Sequence, residues 1–147
     1  MCLDQVHPKK PEPKGRGWKI FKKVRRPDTG AVIVNDYWPS VIGRCDPYVV
    51  GKWYEAHETT ISNEKRPGDI RYKEYTSGFH IFMNRADAEI SINYTCGYDD
   101  VIREIEYDEA HTQGTGQITF PGPQVIAKRM RILPEVERTD FHAKTGA

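Results

Sequence analysis

Apolar and polar residues alternate along several short runs of this chain, a pattern typical of β-strands with one buried face. The run 79–83 places two apolar residues on one face and His80 with a phenylalanine on the other. Residues 18–24 set four apolar side chains between lysines and predict a first strand. Residues 27–30, Pro-Asp-Thr-Gly, are a turn signal, so we expect residues 31–34 to return as the paired strand.

The pattern after residue 83 changes to helical spacing. Asn84 is a helix-capping residue type, and Asp87 stands where a carboxylate can meet the free amides of the first turn. Gly97 is placed where helices commonly end. These signals predict one substantial helix over about 85–96. Its buried stripe is expected to consist of Ala86, Ile90 and Tyr94.

Three further strands are predicted from β-branched and aromatic content. Residues 48–56 form one such run, interrupted by Gly51, which favours a bulge or a close backbone approach. Residues 100–107 and 124–133 form two more. The segment between them is rich in glycine and proline, so we expect a long loop there.

Short connections favour antiparallel pairing. We expect loops at 35–47 and 58–69, the second a candidate lid. The predicted fold is therefore α+β: a single compact domain, mainly antiparallel sheet, with one principal helix. We expect a basic, proline- and glycine-rich N-terminal arm at 1–16, a globular domain at 17–134 and a C-terminal tail at 135–147.

Composition agrees with a globular protein. The 147 residues are 29% charged and 11% aromatic, which is a balance suited to one buried core. Cys2, Cys45 and Cys96 are far apart and form no Cys-x-x-Cys pair, so neither a disulfide framework nor a zinc site is expected. No apolar run approaches a membrane span, and the first residues lack the apolar stretch of a secretory signal. We expect a cytoplasmic protein with no membrane association.

Charge is distributed unevenly along the chain. Residues 1–26 carry nine basic and two acidic residues, a net of +7, whereas the remainder is −6. Such an arm is able to hold nucleic acid or an acidic partner, or merely to dock on its own acidic domain. The basic residues of this region are Lys9, Lys10, Lys14, Arg16, Lys19, Lys22, Lys23, Arg25 and Arg26.

Four residues are candidates for binding a ligand. His80 is a candidate because imidazole titrates near neutral pH, although a hydrogen-bonded histidine at the edge of a core is the simpler alternative. Tyr54 and Tyr75 stand next to polar residues and have flat rings that stack on bases. Ser77 follows Tyr75 in the same segment. The histidines show no metal-ligand spacing, so we expect neither a metal nor another cofactor.

One order of residues is similar to that of a class of ADP-ribosyltransferases. An arginine, Arg44 or Arg71, precedes Ser77 at the start of a strand, and Glu104 and Glu106 form a Glu-x-Glu pair on a later strand. In that family the arginine holds the dinucleotide phosphates, and the last glutamate stabilises the ribosyl cation. The resemblance implies an NAD-dependent transferase or an inactive nucleotide-binding relative. The same glutamates also fit the solvent face of an alternating strand.

Several blocks taken together resemble small uncharacterised proteins of tailed bacteriophages, over about 17–133. The resemblance implies an intracellular accessory protein made during infection, without a transferable function. From the residues and this context we predict a module that binds a host protein, a nucleotide or nucleic acid, and we leave the transferase as the alternative. The blocks are Gly17-Trp-Lys-Ile-Phe, Gly51-Lys-Trp-Tyr-Glu-Ala, Ser77-Gly-Phe-His-Ile-Phe, Ala86-Asp-Ala and Val125-Ile-Ala-Lys-Arg-Met-Arg-Ile-Leu.

Overall fold

The computed structural model of the chain describes residue 3 and residues 5–39, 46–57, 60–62, 74–95, 97–116 and 119–135. These residues form ten strands and one helix. The elements are β1 (Gln5–Val6), β2 (Gly15–Arg25), β3 (Val32–Pro39), β4 (Tyr48–Val49), β5 (Tyr54–Glu55), β6 (Thr60–Ser62), β7 (Glu74–Thr76), β8 (Phe79–Phe82), α1 (Arg85–Thr95), β9 (Asp100–Gly116) and β10 (Gly122–Ile132).

One large antiparallel sheet has the strand order β1-β9-β10-β8-β2-β3-β4, with β5 paired to β10. Strand β9 also pairs with β2, so β9, β10, β8 and β2 form a closed circuit of strand pairs. The 17-residue length of β9 makes this closure achievable, because its first half lies beside β2 and its second half beside β10. Strands β6 and β7 form a separate antiparallel pair.

The predicted antiparallel sheet with one helix is confirmed. The predicted α+β class overstates the helical content, because α1 has 11 residues while β9 and β10 alone have 17 and 11. The described part of the chain is therefore mainly β.

The main core is formed by side chains of the large sheet, including those of its short strands β4 and β5. Phe21, Ile81, Ile105 and Ile132 each lose all of their exposed surface there. Full burial of an aliphatic or aromatic side chain of this size contributes about 1.5–3 kcal/mol. Tyr48 closes the core with edge contacts to neighbouring rings.

The predicted β2–β3 hairpin is confirmed, with Gly30 at φ +73° in its turn. Strand β3 continues to Pro39, so the expected loop at 35–47 is wrong for its first five residues. A register shift explains why the sequence pattern ends early: Lys23 pairs with Tyr37 but Val24 pairs with Ile33. Residues 40–45 lie outside the described part of the chain.

The expected long loop between 107 and 124 is also wrong. Strand β9 runs to Gly116 and β10 starts at Gly122, with these two residues paired at the end of the hairpin. Gly114 lies within β9 beside β1. The position requires glycine because a Cβ there would collide with the backbone oxygen of Gln5 on β1. A glycine required by close strand packing therefore resembled a loop glycine in the sequence.

The run 48–56 forms two short strands with a turn between them. Gly51 adopts φ +87°, and its amide donates to the Ile132 carbonyl at 2.8 Å. Of the expected loop at 58–69, only residues 60–62 are described, and they form β6. Of the expected tail, only Glu135 is described.

Helix α1 is confirmed at the predicted place, but the predicted buried stripe is wrong. Ala88 and Ser91 are its fully buried residues, whereas Ile90 and Tyr94 are 46% and 53% exposed. Ala88 packs against Ile20 and Phe82 of the sheet. Small side chains allow the helix backbone to approach the sheet closely, and this contact decides which face points inward.

Candidate functional site

His80 is buried on β8, with 8% of its surface exposed. Its ring lies 6.4 Å from the Tyr75 ring, and Lys19 Nζ donates to its backbone oxygen at 3.0 Å. Burial, followed by the charge of Lys19, lowers the pKa of the imidazole to about 3. The ring is therefore neutral at physiological pH and is badly placed for proton transfer to a ligand. Its surroundings match the core alternative, and the ligand-binding role stays a prediction.

The two candidate tyrosines also lie in the interior. Tyr54 is 8% exposed, and its hydroxyl accepts a hydrogen bond from the Val49 amide at 2.8 Å. Tyr75 is 6% exposed, and its hydroxyl accepts from the Leu3 amide at 2.9 Å. Both rings support packing and bind backbone, so they offer little surface to a ligand. Ser77 is half-buried just before β8.

Only some residues of the transferase alternative lie in the described part of the chain. Arg44 and Arg71 lie outside the described residues. Glu104 and Glu106 lie two residues apart on β9, on one face of the strand. Glu106 pairs with Arg131 at 2.9 Å, and Glu104 lies 3.7 Å from Arg16. Both carboxylates thus have arginine partners, and the transferase role stays a prediction.

These ion pairs belong to a row of side chains that crosses three strands, β2, β9 and β10. Glu106 is the cross-strand neighbour of Arg16 on β2 and of Arg131 on β10. The Arg131 guanidinium lies 5.2 Å from the Trp53 ring centre, and Arg129 stacks on the same ring at 5.0 Å. Opposite charges alternate across this face, which stabilises the pairing of the strands.

A cleft of about 290 Å³ opens where β10 ends beside β9. Arg85 stacks over Trp18 at 5.1 Å on one side of it. Arg103, 4% exposed, contacts the Tyr37 hydroxyl and donates to the Leu133 carbonyl at 2.6 Å. Arg103 is therefore held by groups of the protein, including Glu135, whose carboxylate lies 3.7 Å from its Nε. No sequence signal pointed to this cleft, because its walls come from segments far apart in the chain.

The outward side of α1 presents an unusual surface. Ile90 and Tyr94 are half exposed, Ala86 is exposed, and Tyr98 in the following turn is fully exposed. These four positions, spaced by four residues, form what we call the outer stripe. Beside it, Arg85 and Glu89 pair at 3.1 Å. The sequence pattern predicts three of these residues, Ala86, Ile90 and Tyr94, as one stripe of the helix, but predicts that the stripe is buried in the core.

The basic residues of the N-terminal region fall into distinct groups. Four are ion-paired: Arg16 with Glu104, Lys22 with Asp100, Arg25 with Asp99 and Arg26 with Asp28. Lys19 is directed to the His80 backbone, and burial lowers its pKa to about 8. The remaining four are exposed, with no acidic partner within 4.0 Å among the described residues: Lys9, Lys10, Lys14 and Lys23.

Within the described ranges, no cluster of three or more histidine, cysteine, aspartate or glutamate side chains is arranged to hold a metal ion. In the same part of the chain, no helix has the length and hydropathy required to cross a membrane.

Comparison with known protein families, with curated proteins and with solved structures finds no match to this chain.

Proposed function

We propose that this chain is a binding module whose outer stripe on α1 holds another protein. The observation that carries the proposal is the exposure of Ile90 and Tyr94 on one side of α1, followed by the exposed Tyr98 in the turn after the helix. Exposed apolar residues scattered singly are normal, but a contiguous apolar patch marks an interaction surface. The protein would act by occupying a partner, without chemistry of its own.

The arrangement suits the insertion of a helix into a groove. In that recognition mode, apolar anchors at a spacing of three or four residues enter a hydrophobic groove of the partner. Ala86, Ile90 and Tyr94 have this spacing, and the Arg85–Glu89 ion pair beside them supplies a polar rim. The partner we infer is therefore a protein with an apolar groove.

The bacteriophage resemblance supplies the proposed setting. A phage accessory protein would meet its partner inside a bacterial cell, so a bacterial lysate is the natural place to search. Catalysis is the weaker alternative, because Glu104 and Glu106 already contact arginines on neighbouring strands.

The test compares two substitutions that each place a lysine at an exposed apolar position. Ile90→Lys alters the outer stripe, whereas Val34→Lys alters β3, where Val34 is 76% exposed. A partner captured by the unaltered protein is identified, purified and titrated against each variant. We expect Ile90→Lys to weaken binding at least tenfold and Val34→Lys to leave it unchanged, since buried anchors dominate interface energies. Equal binding by Ile90→Lys and the unaltered protein would refute the proposal.

A further inference from the structure

Within residues 5–26, four exposed lysines have no acidic partner within 4.0 Å among the described residues, and the segment 5–14 carries three of them: Lys9, Lys10 and Lys14. We call this segment the N-terminal ribbon. The other basic side chains of the region are largely neutralised by acidic neighbours or directed inward. The ribbon also contains the exposed Glu12, so its three lysines leave it a net charge of +2 with His7 neutral, and this positive charge lies on one short stretch of chain.

The ribbon is held to β9 at both of its ends and at Lys9. Gln5 and Val6 pair with Thr115 and Gly114 at one end. The His7 amide then donates to the Gln113 carbonyl at 2.9 Å. Further along the ribbon, the Gln113 side chain donates to the Lys9 carbonyl at 2.9 Å. Near the other end, the Ala110 amide donates to the Pro13 carbonyl at 3.0 Å, just before β2 begins.

Proline makes the ribbon stiff. Pro8, Pro11 and Pro13 each restrict φ and favour extended backbone. Because the backbone is already ordered, a ligand would restrict only the lysine side chains, and the entropy cost of binding is smaller than for a mobile arm.

We propose that the N-terminal ribbon binds the phosphate backbone of duplex nucleic acid. Lysine ammonium groups are compact charges that bind phosphate, and neutralising phosphates releases counterions from the duplex. The ribbon contains no tryptophan, tyrosine or phenylalanine, whereas single-strand binding depends on stacking of bases on such rings. Contact is therefore with the backbone and independent of base sequence. This surface is separate from the outer stripe and does not rest on the protein partner proposed above.

The test is the salt dependence of binding to a short fluorescent DNA duplex. Three lysine contacts predict a slope of log K against log salt of about −2.7, which is about a 40-fold loss between 50 and 200 mM salt. Replacing Lys9, Lys10 and Lys14 together by glutamine should abolish binding. A control variant replaces Lys23, Lys52 and Lys128 by glutamine, the same change of charge elsewhere on the surface, and should keep the slope. Each variant's unfolding midpoint shows that it is folded.

A second variant separates charge from backbone order. Gln113→Ala removes the hydrogen bond to the Lys9 carbonyl and changes no charge. It should weaken duplex binding while leaving the salt slope unchanged. The proposal is overturned if the duplex does not bind at 50 mM salt, if the control variant loses binding as fully as the ribbon variant, or if polyglutamate binds and the duplex does not.

Discussion

Burial determines the protonation of His80. Its ring is packed beside Tyr75, and Nε2 has no hydrogen-bond partner among the described residues. The charged form would lack solvation there and would face the ammonium of Lys19, so the pKa falls to about 3, although a hydrogen bond with the Gly78 backbone opposes this shift. His80 is a site candidate in the sequence because imidazole ordinarily titrates near neutral pH. Its buried position instead keeps the ring uncharged at that pH.

This shift predicts a loss of stability in acid. The unfolded chain binds a proton at His80 below its ordinary pKa of 6.5, whereas the folded protein does not until about pH 3. Stability from this residue is therefore complete above pH 6.5 and falls as the pH is lowered towards 3, by up to about 1.4 kcal/mol per pH unit. Urea unfolding between pH 7 and pH 4 measures it.

His80→Phe is the matched variant, because it keeps an aromatic ring and removes the titration. Its free energy of unfolding should change less steeply with pH than that of the unaltered protein over the same range. Parallel curves for the two proteins would contradict the low pKa of the imidazole.

At the scale of the element, α1 shows that side-chain size as well as hydropathy determines which face of a helix packs against the sheet. Ala88 and Ser91 face the sheet because Ile20 and Phe82 already fill the space beneath them. Larger residues such as Ile90 remain outside although they are more apolar. The helix therefore has a tightly packed inner face and an apolar outer one.

Effects of different size on stability are predicted for the two faces. Ala88→Leu adds three carbons to a fully packed position and should lower the free energy of unfolding by about 1–3 kcal/mol. Ile90→Lys changes a half-exposed side chain and should alter it by less than about 0.5 kcal/mol. Chemical denaturation of both variants measures these values. A large loss for Ile90→Lys with none for Ala88→Leu would mean that the helix faces the other way.

At the scale of the whole molecule, the N-terminal region is part of the folded unit. Leu3 is 1% exposed and packs with Tyr75 and Ile126, and β1 adds an edge to the sheet. The chain beyond β1 then follows β9 until it enters β2. Contacts between residues 5–13 and β9, about a hundred residues later in the chain, thus stabilise both segments.

Leu3→Ala should therefore destabilise the protein by about 2–5 kcal/mol, the usual cost of this truncation in a core. Lys10→Gln, on the exposed surface of the ribbon, is the control and should have almost no effect. Guanidinium unfolding of the two variants measures the difference. Equal stability of Leu3→Ala and the unaltered protein would show that the segment before β2 is a loose arm.

Local patterns predicted much of the fold correctly, including the β2–β3 hairpin, β8 and the position of α1. They failed where glycine is present for close packing, as at Gly114, and where a register shift breaks the alternation, as in β3. Residue type also identified His80 and Tyr54 as site candidates without revealing that both are buried. These failures share a cause, because each depends on a neighbour distant in the chain.

By itself, the sequence determined the antiparallel character of the sheet, the helix over about 85–96 with its apolar stripe, and the concentration of positive charge near the N-terminus. These follow from local alternation, capping and composition. Only the tertiary structure decided that the stripe faces outward and that the ribbon is ordered along β9. It also decided which cations have acidic partners. The reason is physical: burial, ion pairing and strand closure are set by distances between segments remote in sequence, which local patterns do not encode.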